Sequence, residues 1–195
     1  LAVRAGVWSP PAEAPPGFLG FLILDGIVLR GFSVGDRRSV FLLGPGDVIK
    51  PWSHSALWGD WGKFDWRAMS DMKIALLDNS FTEALSEFPE LGVELVDRVL
   101  QRNRELSFNM AIASHTRVDT RVYLILWQMA AKWGKMRSDG VLLPVKLTHN
   151  VLSELVASRR PTITTALAEL ADRGLVQRVD NGWLLAGEPP AELLS

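Results

Sequence analysis

Between residues 158 and 174 the chain reads SRRPTITTALAELADRG. Two arginines, a proline and four Ser/Thr hydroxyls crowd its front, and alanines and leucines fill its rear. Those side chains suit a polyanion. The planar fork of an arginine matches O6 and N7 of guanine, and hydroxyls with the free N–H groups of a helix start hold phosphates. Pro161 is tolerated in a first helical turn, where its missing N–H has no intrahelical partner anyway. Ile163, Ala166, Leu167 and Leu170 recur at helical spacing. The stretch predicts a helix over about 160–173 with an apolar back and Arg159, Arg160, Thr162 and Thr165 pointing outward from its amino end.

The flanking elements explain why such a helix would be held out to a partner. Thr148 caps a predicted helix running to about Ala157, whose Leu152, Leu155 and Val156 close a small core with the second helix. LVQRV and WLLAG read as two short strands around Asp180-Asn181-Gly182, a hairpin-turn signal. Two helices with few residues between them and a β-hairpin behind form a winged helix-turn-helix, whose second helix enters the major groove of duplex DNA by its amino end. A helical hairpin serving protein contacts alone is the competing reading. Salt-dependent binding to duplex DNA separates the two, because only phosphate neutralisation gives a steep slope.

Charge agrees with a basic rear. Residues 1–97 carry 8 Lys/Arg against 13 Asp/Glu, and residues 98–195 carry 13 against 9. The absence of cysteine excludes disulfides, thiolate metal sites and thiol redox sensing. No Gly-rich phosphate loop, nucleophile elbow or HExxH is present, and Asp60 and Asp65 read as solvated loop acids, so no enzyme is expected. The most apolar run, GFLGFLILDGIVLRGF, is broken by Asp25 and Arg30 and is too short for a bilayer. With no secretory signal in LAVRAGVWSPPAEAPP, a cytoplasmic protein without membrane contact is expected.

Residues 1–17 read as an irregular lead-in, followed by short strands in FLGFLILDGIVLRGFSV, SVFLLGPGDVI, DWRAM and MKIALLD, an all-β pattern. FTEALSEFP predicts a short helix, and residues 90–114 a long one. On the long helix Val96, Val99, Asn103, Leu106, Met110 and Ala113 are spaced 3-4-3-4-3, the repeat of a coiled-coil seam, with Asn103 at an a position where a buried amide fixes register. That stripe predicts a homodimer; a single helix packed on its own barrel is the alternative. VDTRVYLILWQMAAKWG predicts a further helix, GKMRSDG a loop and VLLPVKL an extended piece.

The stretch LTHNVLSELVASRRPTITTALAELADRGLVQRVDNGWLL resembles the DNA-binding domain of the Crp/Fnr family of bacterial transcription regulators. LGPGDVI resembles that family's barrel turn, MKIALLDNSF its last barrel strand, and FPELGVELVDRVLQRNREL its long dimer helix. The resemblance implies an α+β fold: a cyclic-nucleotide-binding-like β-barrel (jelly roll) over 1–88, a dimerisation helix over 89–115 and a winged helix-turn-helix over 116–195. It gives Arg160 the place of the family's guanine-reading arginine and Thr162 that of a phosphate contact, with Thr148 and His149 near the backbone. Arg178, in the hairpin, joins the candidate DNA-binding set. Pro161 stands where some members have a base-reading glutamate and Thr165 where some have a second arginine, so the half-site should differ from theirs. Arg159 replaces a capping serine and cannot accept the N–H bond, at a cost of ~1 kcal/mol unless Ser158 substitutes. Double-stranded DNA and a second copy of the chain are the expected partners, RNA polymerase a candidate one.

The family's barrel often holds a cyclic nucleotide through a Gly-Glu-Leu and Arg-Ser/Thr-Ala cassette. VIKPWSHSALWGDWGKFDWRAM has neither; Arg67-Ala68 falls in a strand, and Lys50 and Lys63 are unsupported as phosphate ligands. Cyclic-nucleotide control is not expected. Trp52, Trp58, Trp61 and Trp66 either fill the barrel or line a pocket for a small apolar or aromatic effector, with His54 and Asp60 as polar handles. No cofactor and no metal site is predicted, since His54 lacks partners at ligand spacing and His115 and His149 read as surface residues.

Overall fold

The computed structural model describes residues 1–10, 17–51 and 63–193 of the chain. The chain divides into two compact units, Leu1–Leu106 and Ser107–Ser195.

The described residues of the first unit form strands β1 (Ala2–Val3), β2 (Gly6–Val7), β3 (Gly20–Asp25), β4 (Val28–Val34), β5 (Arg37–Leu43), β6 (Val48–Ile49), β7 (Lys63–Ala68) and β8 (Met72–Leu77). They make two antiparallel sheets, ordered β1-β8-β3-β6 and β2-β7-β4-β5. Alternation along each strand turns one side chain in two toward a shared core. That core takes Phe21 and Ile23 from β3, Met72 and Ile74 from β8, Val28 from β4 and Trp66 and Ala68 from β7. Among the described residues no ladder joins the two sheets, so the expected barrel takes the form of an open jelly-roll sandwich. The apolar run that contains β3 and β4 is split at Gly26, which hands the chain from one sheet to the other. Its φ of 87° and the approach of the Asp71 carbonyl to within 2.3 Å of any added Cβ leave room for glycine alone.

Residues 1–17, irregular by composition, contribute two strands after all. β1 pairs Ala2 with Lys73, and the Leu1 nitrogen donates to the Ile74 carbonyl at 2.8 Å. β2 pairs Val7 with Arg67, and Trp8 packs edge-on against Phe21 and Trp66. Strands of two residues carry no period for a sequence to display.

Asp78 caps α1 (Asn79–Glu87) through the Ser80 N–H. α2 spans Pro89–Ser114 and buries a single residue, Ile112. In the second unit α3 (Val118–Trp133) is buried nearly all round. Next come β9 (Lys135–Arg137), β10 (Gly140–Leu143), α4 (His149–Leu155), α5 (Arg160–Asp172), β11 (Val176–Val179) and β12 (Gly182–Leu185). The segment GKMRSDG, expected as a loop, holds β9, whose three residues are all exposed and so lack alternation. β9 completes a sheet ordered β11-β12-β10-β9.

Candidate nucleic-acid interface

α4 and α5 are locked together from behind. Leu152, Val156 and Ile163 are fully buried, and Ala166, Leu167 and Leu170 nearly so. Leu155 is only half-buried. Thr148 Oγ1 accepts the Val151 N–H at 3.2 Å, the predicted cap. His149 Nδ1 lies 2.9 Å from Thr164 Oγ1, tying the start of α4 to the first turns of α5.

The turn between the helices carries strain. Ala157 has φ of 49°, the left-handed region that disfavours a side chain. Arg121 of α3 holds this turn, Nη1 donating to the Val156 carbonyl at 2.8 Å. Relief of roughly 1–2 kcal/mol of left-handed strain, less about 0.4–1 kcal/mol for the looser unfolded chain, predicts that Ala157→Gly stabilises the second unit by about 0.5–1 kcal/mol. Urea unfolding checks this, and a loss of stability would place the strain elsewhere.

Arg159 is the N-cap of α5 and makes no side-chain cap bond, and Ser158 supplies none in its place. The predicted lost cap is therefore real. Arg159, Arg160, Pro161, Thr162 and Thr165 are all exposed. Thr164 Oγ1 donates back to the Arg160 carbonyl at 3.2 Å, whereas Arg159 and Arg160 form no ion pair among the described residues. Two unneutralised guanidinium groups thus stand at the positive end of a 13-residue helix. The wing turns through Asp180 and Asn181, with Val179 paired to Gly182. Gly182 belongs to β12 rather than to the turn tip. A Cβ there would lie 1.9 Å from the Leu143 carbonyl of β10. Arg178, exposed on β11, has its guanidinium 5.8 Å from the Trp183 ring.

An ion cluster joins the start of α3 to the end of α5. Arg117 meets buried Asp119 twice, Nε to Oδ1 at 3.0 Å and Nη2 to Oδ2 at 2.8 Å, with Arg173 at 3.9 Å. The Arg117 hydrogen bonds hold the Asp119 carboxyl below the usual carboxylate range against the opposing effect of burial. A depressed acid contributes stability that is present above its unfolded pKa and lost as pH falls through the folded one. Asp119→Asn should therefore destabilise the second unit at neutral pH, and only modestly, because the Arg117 side chain stands in solvent that screens the pair. The gap to the unmodified protein should close below about pH 4, as read from thermal midpoints; a gap independent of pH would remove the ion pair from the account.

The stripe on α2 lies on the surface of the single chain. Val96, Val99 and Met110 are 57%, 55% and 75% exposed, Asn103 and Ala113 are exposed, and Leu106 is half-buried. Trp66 is a core residue, whereas Trp52, Trp58, Trp61, His54 and Asp60 lie outside the described residues. Lys50 is exposed, and Arg67-Ala68 closes β7 as expected. Arg121, Ala157 and the Arg117–Asp119 pair carry no sequence signature and emerge only from the fold.

Residues 120–186 match the model of the Crp-like helix-turn-helix domain. The chain is 26% identical over 176 residues to the CRP-like cAMP-activated global transcriptional regulator of Mycobacterium tuberculosis, covering 85% of this chain and 75% of that one. It is 24% identical over 160 residues to the global nitrogen regulator of a Nostoc species, covering 80% and 71%. Among solved structures, a CRP/FNR-family transcriptional regulator from Thermus thermophilus superposes with a TM-score of 0.67 at 22% identity, covering 96% and 93%. That likeness shows the fold.

Proposed function

We propose that the chain, whose residues 120–186 match the Crp-like helix-turn-helix domain, is a DNA-binding transcription regulator of the Crp/Fnr type that acts as a homodimer on an inverted-repeat operator. The observation that carries this reading is the front of α5, where Arg159 and Arg160 stand exposed and unneutralised over a fully apolar back. Arg160 reads a guanine, Thr162 and the free N–H groups of the first turn hold phosphate, and Thr148, His149 and Arg178 flank the same contact. Thr165 and Arg159 vary the half-site. Work is divided as 1–88 for a sensor-like domain, 89–115 for dimerisation and 116–195 for DNA. The protein is a cytoplasmic regulator and not an enzyme, with RNA polymerase a candidate partner; among the described residues no helix is long and apolar enough to cross a membrane.

Selection from random duplex tests the reading. It should recover an inverted repeat with half-sites about 10–10.5 base pairs apart and a binding constant that falls steeply with salt. Recovery of no repeat, or a flat salt dependence, would leave the helices as a protein-contact module.

Cyclic nucleotide does not govern the protein in this reading, since residues 48–69 contain no Gly-Glu pair and no Arg-Ser/Thr-Ala. Calorimetry with millimolar cyclic AMP should give no saturable heat; a micromolar constant would overturn the point.

A further inference from the structure

His149 opens α4 and is tied to α5 by one hydrogen bond, between its Nδ1 and Thr164 Oγ1 at 2.9 Å. The Thr164 hydroxyl has a single hydrogen to give. It gives it to the Arg160 carbonyl, one turn back, at 3.2 Å. Thr164 therefore meets the ring with a lone pair, and Nδ1 is the nitrogen that carries the proton. Nε2, across the ring, is left as the nitrogen that gains or loses one. Among the described residues Nε2 has no partner, and His149 is half-buried rather than enclosed.

What Nε2 offers depends on that proton. In the neutral ring it presents a lone pair, which a phosphate oxygen repels. In the protonated ring it presents a charged N–H, which forms a short, charge-assisted bond to the same oxygen. The charges at this end of the helix pair are cationic: Lys146 ahead of α4, and Arg159 and Arg160 opening α5. The carboxylates of the two helices, Glu154 on α4 and Glu169 and Asp172 on α5, lie more than a turn further along, with Arg173 beyond them. Among the described residues none of these carboxylates bonds the ring.

We propose that His149 is a proton-dependent phosphate contact, held in place by Thr164, which makes duplex binding tighten as pH falls. The inference rests on the operator reading and adds a regulating variable to it. Phosphate favours the charged ring, so the complex holds more protons than the separate partners, and the binding constant rises as pH falls through the range where histidine changes charge. Ordinary carboxylates, lysines and arginines keep their charge across that range. The sequence holds three histidines, His54, His115 and His149, so few side chains compete for the effect.

Titration of the full chain into a fluorescent random-sequence duplex, at constant ionic strength between about pH 6 and about pH 8, decides it. A phosphate contact carries no base identity, so no operator is needed. Affinity should rise about tenfold per bound protomer across that interval as pH falls. His149→Gln should flatten the rise. His149→Arg, charged throughout, should keep the low-pH affinity at high pH, a gain that a damaged fold does not give. Thr164→Val should shrink the rise where Thr164→Ser retains it, and His115→Gln should leave it intact. A binding constant flat in pH, or a full rise in His149→Gln, would overturn the proposal while leaving the operator reading standing. Absence of duplex binding at every pH would remove the operator reading and the proposal with it.

Discussion

Arg160→Ala is expected to weaken binding to the selected operator roughly ten- to a hundredfold per half-site, while binding to scrambled duplex stays nearly unchanged. A bidentate arginine–guanine contact discriminates by about 1–3 kcal/mol. In a two-fold dimer the loss occurs twice, so the whole operator loses roughly 10²–10⁴. The structure strengthens the expectation in one respect. Among the described residues Arg160 has no carboxylate to leave before it can meet a base, so no internal ion pair offsets the contact. Nor should the substitution harm the fold, because the residue is exposed and alanine favours a helix. Thr162→Ala should differ in kind, lowering affinity for operator and scrambled duplex alike, because a phosphate contact carries no base identity. Competition assays on both duplexes at two salt concentrations separate these outcomes. If Arg160→Ala weakened both equally, the side chain would be a phosphate clamp, and base reading would pass to Arg159 or Thr165.

What the sequence made legible is what repeats. Ile163, Ala166, Leu167 and Leu170 recur often enough to announce a buried helix face, and all four are buried. Met72 and Ile74, two positions apart and both buried, mark the start of β8 in the same way. Elements of two or three residues, β1, β2 and β9, repeat nothing and stayed hidden. Contacts between a side chain and a distant carbonyl are equally silent: Arg121 reaches Val156 across 35 positions, and a carbonyl has no residue type to recognise. Arg30 shows the opposite failure. In the sequence it merely interrupts an apolar run, as a surface charge would. Only the strand period, counted from the buried Val28, places it on the inner face. Trp8 and Trp66 meet edge-on although one belongs to the lead-in and the other to a cluster 58 positions later. The aromatic core is therefore assembled by topology and not by the clustering of tryptophans along the chain.

Val99→Glu is expected to convert the proposed homodimer, near 43 kDa or twice the 21.6 kDa chain, into a monomer. α2 is 26 residues long yet buries only Ile112. A helix of that length holds its apolar groups in water only at a large cost unless a partner covers them. Val93 and Leu100, 64% and 47% exposed, both fall at e positions and widen the stripe of Val96, Val99 and Met110 beyond a two-position seam. With Asn103 at an a position, Val99 falls at d, where a parallel dimer brings each residue against its twin. Two glutamates there would face one another as like charges in a site drained of water, which neither a salt bridge nor a rotamer change relieves. Glutamate is a good helix former, so the single chain should keep its fold and its circular dichroism. Operator affinity should then fall more than a hundredfold, because a monomer engages one half-site where the dimer engages two. Asn103→Leu acts in the other direction, keeping or raising association while loosening register. Sedimentation of the two variants at micromolar concentration separates the seam from any other surface. Should Val99→Glu remain a dimer with full operator affinity, α2 would be an amphipathic helix whose exposed stripe serves something else, and two-fold symmetry would have to come from elsewhere in the chain.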